Sequence, residues 1–289
     1  MLNVMHNNGM LNNSTVVIAH PDDEIIWMSS IIGKVDKILI CFQDEFSSVG
    51  FGIGTAVDYF RMAKNGSFFN KSIMSEIGCS REKVLKNYPI KRIKSLGLSE
   101  SGSYGLVDWS NPKRSPYGVE LDAQNIRITR PILGGLFKRN IKLIRRRYEE
   151  NYNSLVVRLK DELEGIDNVF THNPWGEYGH PDHIQVNKAL TEIQKELRFS
   201  LYVTTYCGIQ TLNLVNQYLP LGSTLEEYVS IETDKDLANE VVGLYKKYNC
   251  WTYHDDWRPM SEDVFIKSPS WIDEKAREDM FKYPPGTIE

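Results

Sequence analysis

The chain has 289 residues, 41% of them hydrophobic and 25% charged, with a formal net charge of −4. This is ordinary globular composition, and it excludes a global electrostatic pull toward nucleic acid. The four cysteines, Cys41, Cys79, Cys207 and Cys250, form no Cys-x-x-Cys pair, which excludes a zinc knuckle or a dithiol redox site. No stretch approaches the roughly 18 apolar residues of a membrane helix, and the N-terminus carries no signal-peptide pattern, so a cytoplasmic protein without a transmembrane segment is expected.

In chain order, residues 1–14 are Asn-rich and expected to be flexible, and residues 15–289 are expected to form one domain. "TVVIAH" has the continuous apolar run of a buried strand, "EIIWMSSIIGKV" the rhythm of a helix packed on it, and "DKILICF" the run of a second buried strand, with Cys41 in its core. Such a unit predicts parallel pairing. Residues 43–80, rich in Gly, Phe and Ser, predict a long loop or lid with a short helix at "TAVDYFRMAKN". "REKVLKNYPIKRIKSLGL" predicts a helix interrupted near Pro89 and ended at Gly97, and residues 101–135 show no regular pattern. The alternation then resumes: "LVVRLKDELEGI" as a helix, "DNVFTH" as a strand, "HIQVNKALTEIQKELR" as a helix, "SLYVTTYC" as a strand and "DKDLANEVVGLYKKYN" as a late helix. The expected fold is α/β and Rossmann-like: a mostly parallel sheet flanked by helices, with an inserted loop or lid. Ligands in such sheets sit outside the carboxyl ends of the strands.

Two turns at those ends share one pattern, "AHPDDE" after the first strand and "GHPDH" after the third. Buried charge is costly unless it is paired or bound to a metal. Histidines and a carboxylate without thiols suit a zinc ion, and three protein ligands leave a position for water, as in catalytic sites. The plainer reading makes each turn a capped helix start, with Asp22 or Asp23 bonding backbone N–H groups. Capping has a use for the acids but none for the three histidines of the pair. Spacing alone does not decide which of Asp22 and Asp23 is the ligand.

As a pair, "AHPDDE" and "YGHPDH" resemble the PIG-L/LmbE-like family of zinc-dependent de-N-acetylases, over about residues 15–210 in the order of elements. The resemblance implies that His20, Asp23 and His183 bind zinc and that Asp22 is the general base acting on the metal-bound water. It further implies that His180 protonates the leaving amine or stabilises the tetrahedral oxyanion, with Asp182 setting its charge through a hydrogen bond. Tyr178 matches a family tyrosine that approaches the substrate carbonyl. The implied activity is removal of an N-acetyl group from an amino sugar or glycoconjugate, with a small molecule as partner and no nucleic acid.

This chain departs from the family pattern in two places. "KNYPIKRIKSLG" puts Lys86 and Tyr88 where an Arg-x-x-Glu is common, and "TYHDDW" is a loose counterpart of a late His-x-Ser-Gln segment, offering His254. Trp175 is a candidate sugar-stacking ring or a core residue. His172, at the end of the third strand, is expected to be structural. "KRNIKLIRRR" (138–147) offers a phosphate-facing patch or, as the better expectation, a solvated face. Two other functions compete: a non-haem Fe(II) oxygenase built on two histidines and one carboxylate, and a non-catalytic carbohydrate-binding relative. The oxygenase commonly needs an all-β scaffold, whereas a degenerate relative would show a lost ligand or base.

Overall fold

The strand β1 (Ser14–Ile18) is buried along its whole length, so it needs cover on both faces of its sheet. A computed structural model, describing residues 9–44, 81–122, 134–218, 228–268 and 286–287, supplies that cover. After β1 come α1 (Asp23–Trp27), β2 (Lys37–Asp44), a helix α2 at 81–86, β3 (Ile93–Ser99), β4 (Arg114–Ser115) and β5 (Gly118–Val119). The chain continues through α3 (Gly134–Leu163), β6 (Asn168–Thr171), α4 (Pro181–Leu197), β7 (Ser200–Thr204) and β8 (Tyr206–Cys207). It then forms α5 (Leu212–Tyr218), β9 (Tyr228–Glu232), α6 (Lys235–Lys247), β10 (Glu262–Ser268) and β11 (Gly286–Thr287).

Seven strands form one sheet in the order β3-β2-β1-β6-β7-β10-β9. The first five pair in parallel, and β10 runs antiparallel to both β7 and β9. This is the α/β, Rossmann-like sheet expected. Alternate residues of β1 face opposite layers. Val16 and Ile18 pack with Ile25, Ala238, Val241 and Tyr245, whereas Val17 packs with Leu155 and Leu159 of α3 and Ile184 and Ile193 of α4. From β1 the chain runs outward through β2 and β3, then returns to β6 on the other flank. The loops after β1 and β6 therefore part at a switch point and open a crevice at the carboxyl ends of the strands.

Three segments differ from their sequence-based expectation. Helix α1 stops at Trp27, and Met28 takes φ −142°. The next donors are claimed from afar: Ser30 N–H and the Ser29 hydroxyl bond Asp263 Oδ2 of β10 at 2.7 and 3.4 Å. Beyond Pro89, "IKSLGLS" is strand β3 rather than a helix continuation, because it completes the edge of β2. Strands β9 and β10 complete the sheet from segments whose patterns were not assigned. Helix α3 begins well before "LVVRLKDELEGI" and takes in the basic run, in which Arg145 Nε donates to the Leu121 carbonyl at 2.9 Å and Arg146 pairs with Glu150 at 2.7 Å. The short helix at "TAVDYFRMAKN", and the expected lid beyond Asp44, lie outside the described residues. Among the described residues no helix is long and apolar enough to cross a membrane.

Candidate metal centre

The first turn leaves β1 with a bond directed backward, from His20 N–H to Asp23 Oδ2 at 2.7 Å. Helix α1 has no side-chain cap: its N-cap residue is Asp22, which makes no such bond. Asp22 has φ 98°, a left-handed conformation rare for a residue with a Cβ and tolerated where surroundings enforce it. Two of the three enforcing groups are distant in sequence. Asp22 N–H donates to the Tyr245 hydroxyl at 2.9 Å and to Glu24 Oε2 at 3.1 Å, and its Oδ2 accepts the Thr252 hydroxyl at 2.6 Å. Glu24 itself accepts from the Tyr88 and Tyr245 hydroxyls at 3.0 and 2.8 Å. Burial, followed by the charge of Asp23, pushes the Asp22 carboxyl up to about 8.

The second turn, "HNPWGEYGHPDH", is folded back by Asn173, whose Oδ1 accepts the N–H groups of Trp175 and Glu177 at 3.3 and 3.0 Å. Gly176 makes the reversal at φ +71°, and a Cβ there would lie 2.7 Å from the backbone oxygen of His180. Gly176→Ala is therefore expected to lower stability by about 1–3 kcal/mol or more, read as a fall in the thermal unfolding midpoint. His180 caps α4 through Nδ1, which accepts Asp182 N–H at 3.2 Å, with Pro181 at the first helical position. The cap is thus a histidine rather than an acid. Asp182 is released for other work: Oδ1 accepts the Ser101 and Ser103 hydroxyls at 2.8 and 3.1 Å, and Oδ2 lies 3.4 Å from His20 Nε2. The expected Asp182 side-chain bond to His180 is replaced by this one to His20, because β1 and β6 are sheet neighbours and their loops face each other.

The two turns meet at Asp23 Oδ2, which lies 3.2 Å from His20 Nδ1, 3.2 Å from His183 Nε2 and 3.4 Å from His172 Nε2. Donor atoms of His20, His180 and His183 all lie within 4.8 Å of one another, as do those of Asp23, His172 and His183, and those of His20, Glu100 and Asp182. Burial opposes charge on Asp23, but His183, His172 and His20 outweigh it and hold the carboxyl well below its usual range. Burial likewise opposes a charged His20, but Glu100, Asp182 and Asp23 outweigh it and raise that imidazole well above its usual range. His180 behaves oppositely, pushed well below its usual value by burial and by His20 and His183.

The donor set fits a cation at one telling point. His183 Nε2 is buried with no hydrogen-bond partner, and it faces a carboxylate oxygen; buried polar atoms are rarely left so. His172 lacks that vacancy, since its Nε2 accepts Ala19 N–H at 2.9 Å. That bond requires a lone pair and keeps the ring neutral, although the carboxylates of Glu177 and Asp23 beside it favour protonation.

Tyr178 is half-buried, with its ring stacked on Trp27 at 5.6 Å and lying 5.5 Å from His183 and 6.0 Å from His180. Tyr104 stacks on His180 at 5.1 Å. Trp175 is fully buried and donates to the Tyr206 carbonyl at 2.7 Å, so it is core. His254 is exposed. Sequence reasoning missed Glu24, Tyr104, Glu177, Tyr245 and Thr252. An extra acid beside the second histidine pair was the available signal for Glu177; for Tyr245 and Thr252 there was none.

Glu177 is fully buried, and burial opposes its ionisation, but the His172 and His183 Nδ1–H groups facing its Oε2 favour the carboxylate and hold it below its ordinary range. A depressed carboxyl contributes stability that is complete above about pH 4.5 and lost as pH falls toward 2. The cation-free chain is expected to lose stability from this group as pH falls through that window, measurable by chaotrope unfolding at stepped pH.

No family model matches the chain, and no curated protein matches it. Solved structures do resemble it. A40926 pseudoaglycone deacetylase Dbv21 shares 10% identity over 88% of this chain and 96% of its own, with a TM-score of 0.46. The zinc-inhibited form of teicoplanin deacetylase Orf2 shares 10% over 88% and 97%, with a TM-score of 0.47. A deacetylase–teicoplanin complex shares 11% over 88% and 98%, with a TM-score of 0.46. At such identities and scores neither family membership nor activity carries over.

Proposed function

We propose that this chain is a zinc-dependent hydrolase that removes an N-acetyl group from an amino sugar or glycoconjugate, holding the cation with His20, Asp23 and His183. The observation that carries this reading is the unpartnered His183 Nε2 facing Asp23 Oδ2 at 3.2 Å. Lone-pair bookkeeping supports the choice of ligands. His172 Nε2 and His180 Nδ1 already accept backbone N–H groups. His20 places Nε2 toward Asp182 and Nδ1 toward Asp23 Oδ2, which leaves Nδ1 as the donor to a cation once the ring is neutral.

When bound, the cation polarises the amide carbonyl and makes a water acidic. Asp22 takes the proton of the attacking water, and the Thr252 hydroxyl holds its carboxylate in place. His180 is neutral, and since Nδ1 accepts Asp182 N–H, its proton resides on Nε2. That N–H donates a hydrogen bond to the developing oxyanion, and the proton that Asp22 takes from the water passes on to the departing nitrogen. Tyr178, packed on Trp27 beside both histidines, orients the carbonyl.

The test is acetate release from a panel of N-acetylated sugars and their conjugates, with zinc added. Cation-dependent release of acetate and free amine in equal amounts is expected. Bound zinc with no release from any amide overturns the activity, and bound iron with oxygen uptake replaces it with the oxygenase.

A further inference from the structure

We infer that Glu177 is the positioning residue that makes His183 a cation ligand, by fixing the proton of its imidazole on Nδ1 and leaving Nε2 bare. The inference rests on the proposed metal centre and goes beyond it, since Glu177 touches neither substrate nor cation. Its Oε2 lies 2.8 Å from His183 Nδ1 and 3.1 Å from His172 Nδ1. A carboxylate only accepts hydrogen bonds, so both rings must present Nδ1–H to it. The other oxygen is also engaged, accepting Asn173 N–H at 3.1 Å and the Thr204 hydroxyl. With every lone-pair direction in use, the carboxylate cannot turn away, and its residue is locked at φ 51° by the Asn173 turn.

One oxygen therefore sets two imidazoles identically. The rings stack at 3.8 Å with 21° between their planes, so both Nε2 atoms point the same way, toward Asp23 Oδ2. What separates them is the backbone. His172 Nε2 is occupied by Ala19 N–H, whereas His183 Nε2 has no partner. Glu177 prepares two lone pairs, and β1 consumes one of them. This accounts for why the ligand is on α4 and not at the end of β6. Carboxylates placed behind a metal-bound histidine act in this way, and removing one typically costs 10–100-fold in affinity.

Two measurements on the full chain test this. Imidazole-nitrogen NMR of the cation-free wild type is expected to show His172 and His183 both protonated on Nδ1; a His183 protonated on Nε2 overturns the inference without any variant. In Glu177→Gln, the amide can donate to His183 Nδ1, so the His183 proton is expected to move to Nε2. Zinc affinity, from chelator competition, is expected to fall about 10–100-fold. Glu177→Gln with unchanged tautomer and unchanged zinc affinity overturns the inference. Wild type that binds zinc but releases no acetate overturns the hydrolase and leaves this inference standing. If Glu177→Gln does not fold, the wild-type tautomer decides.

Discussion

His183→Ala is expected to abolish cation binding at this centre, with zinc affinity falling at least about 100-fold, beyond the range for residues that merely support a ligand. The reason is specific to one atom. Of the three imidazole nitrogens around Asp23 Oδ2, only that of His183 is buried without a hydrogen-bond partner, so its loss removes a donor that no neighbour replaces. Zinc content after dialysis and chelator competition give the readout. His180→Ala is the matched control: its Nδ1 serves as the cap of α4, so the variant should keep its zinc while losing rate. A zinc-free His180→Ala would exchange the two assignments.

Asp22→Asn is expected to keep zinc and fold but to lose about 10²–10⁴-fold in turnover, the usual contribution of a general base. Asparagine retains an oxygen for the Thr252 hydroxyl and a backbone N–H for Tyr245 and Glu24, so the strained turn survives while the proton acceptor does not. Acetate released per bound zinc is the measure. A variant with near-normal rate would remove Asp22 from the chemistry and turn attention to its buried neighbour Glu24.

The network around Asp22 also explains why the C-terminal region belongs to the site. Tyr245 lies on α6 and Thr252 in the loop beyond it, over 200 residues from the turn they hold. The expected counterpart in "TYHDDW" was His254, which is exposed. The residue that reaches the site is Thr252, at the start of the same stretch. A short apolar segment such as "IKSLGLS" fits either a strand or a buried helix turn by pattern, and only the open edge of β2 made it β3. Glu177 was hidden for a different reason. In sequence it is one more acid in a polar turn; its meaning comes from two rings converging on one of its oxygens.

The sequence by itself determined the parallel α/β core and the two histidine–acid turns at the ends of its strands, because apolar runs and histidine–acid clusters are local properties, readable within a dozen residues. Only the tertiary structure decided which nitrogen of which histidine is bare. That choice depends on hydrogen-bond partners such as Ala19 N–H for His172, 153 positions apart, and a lone pair becomes available only when the folded chain has left it without a donor.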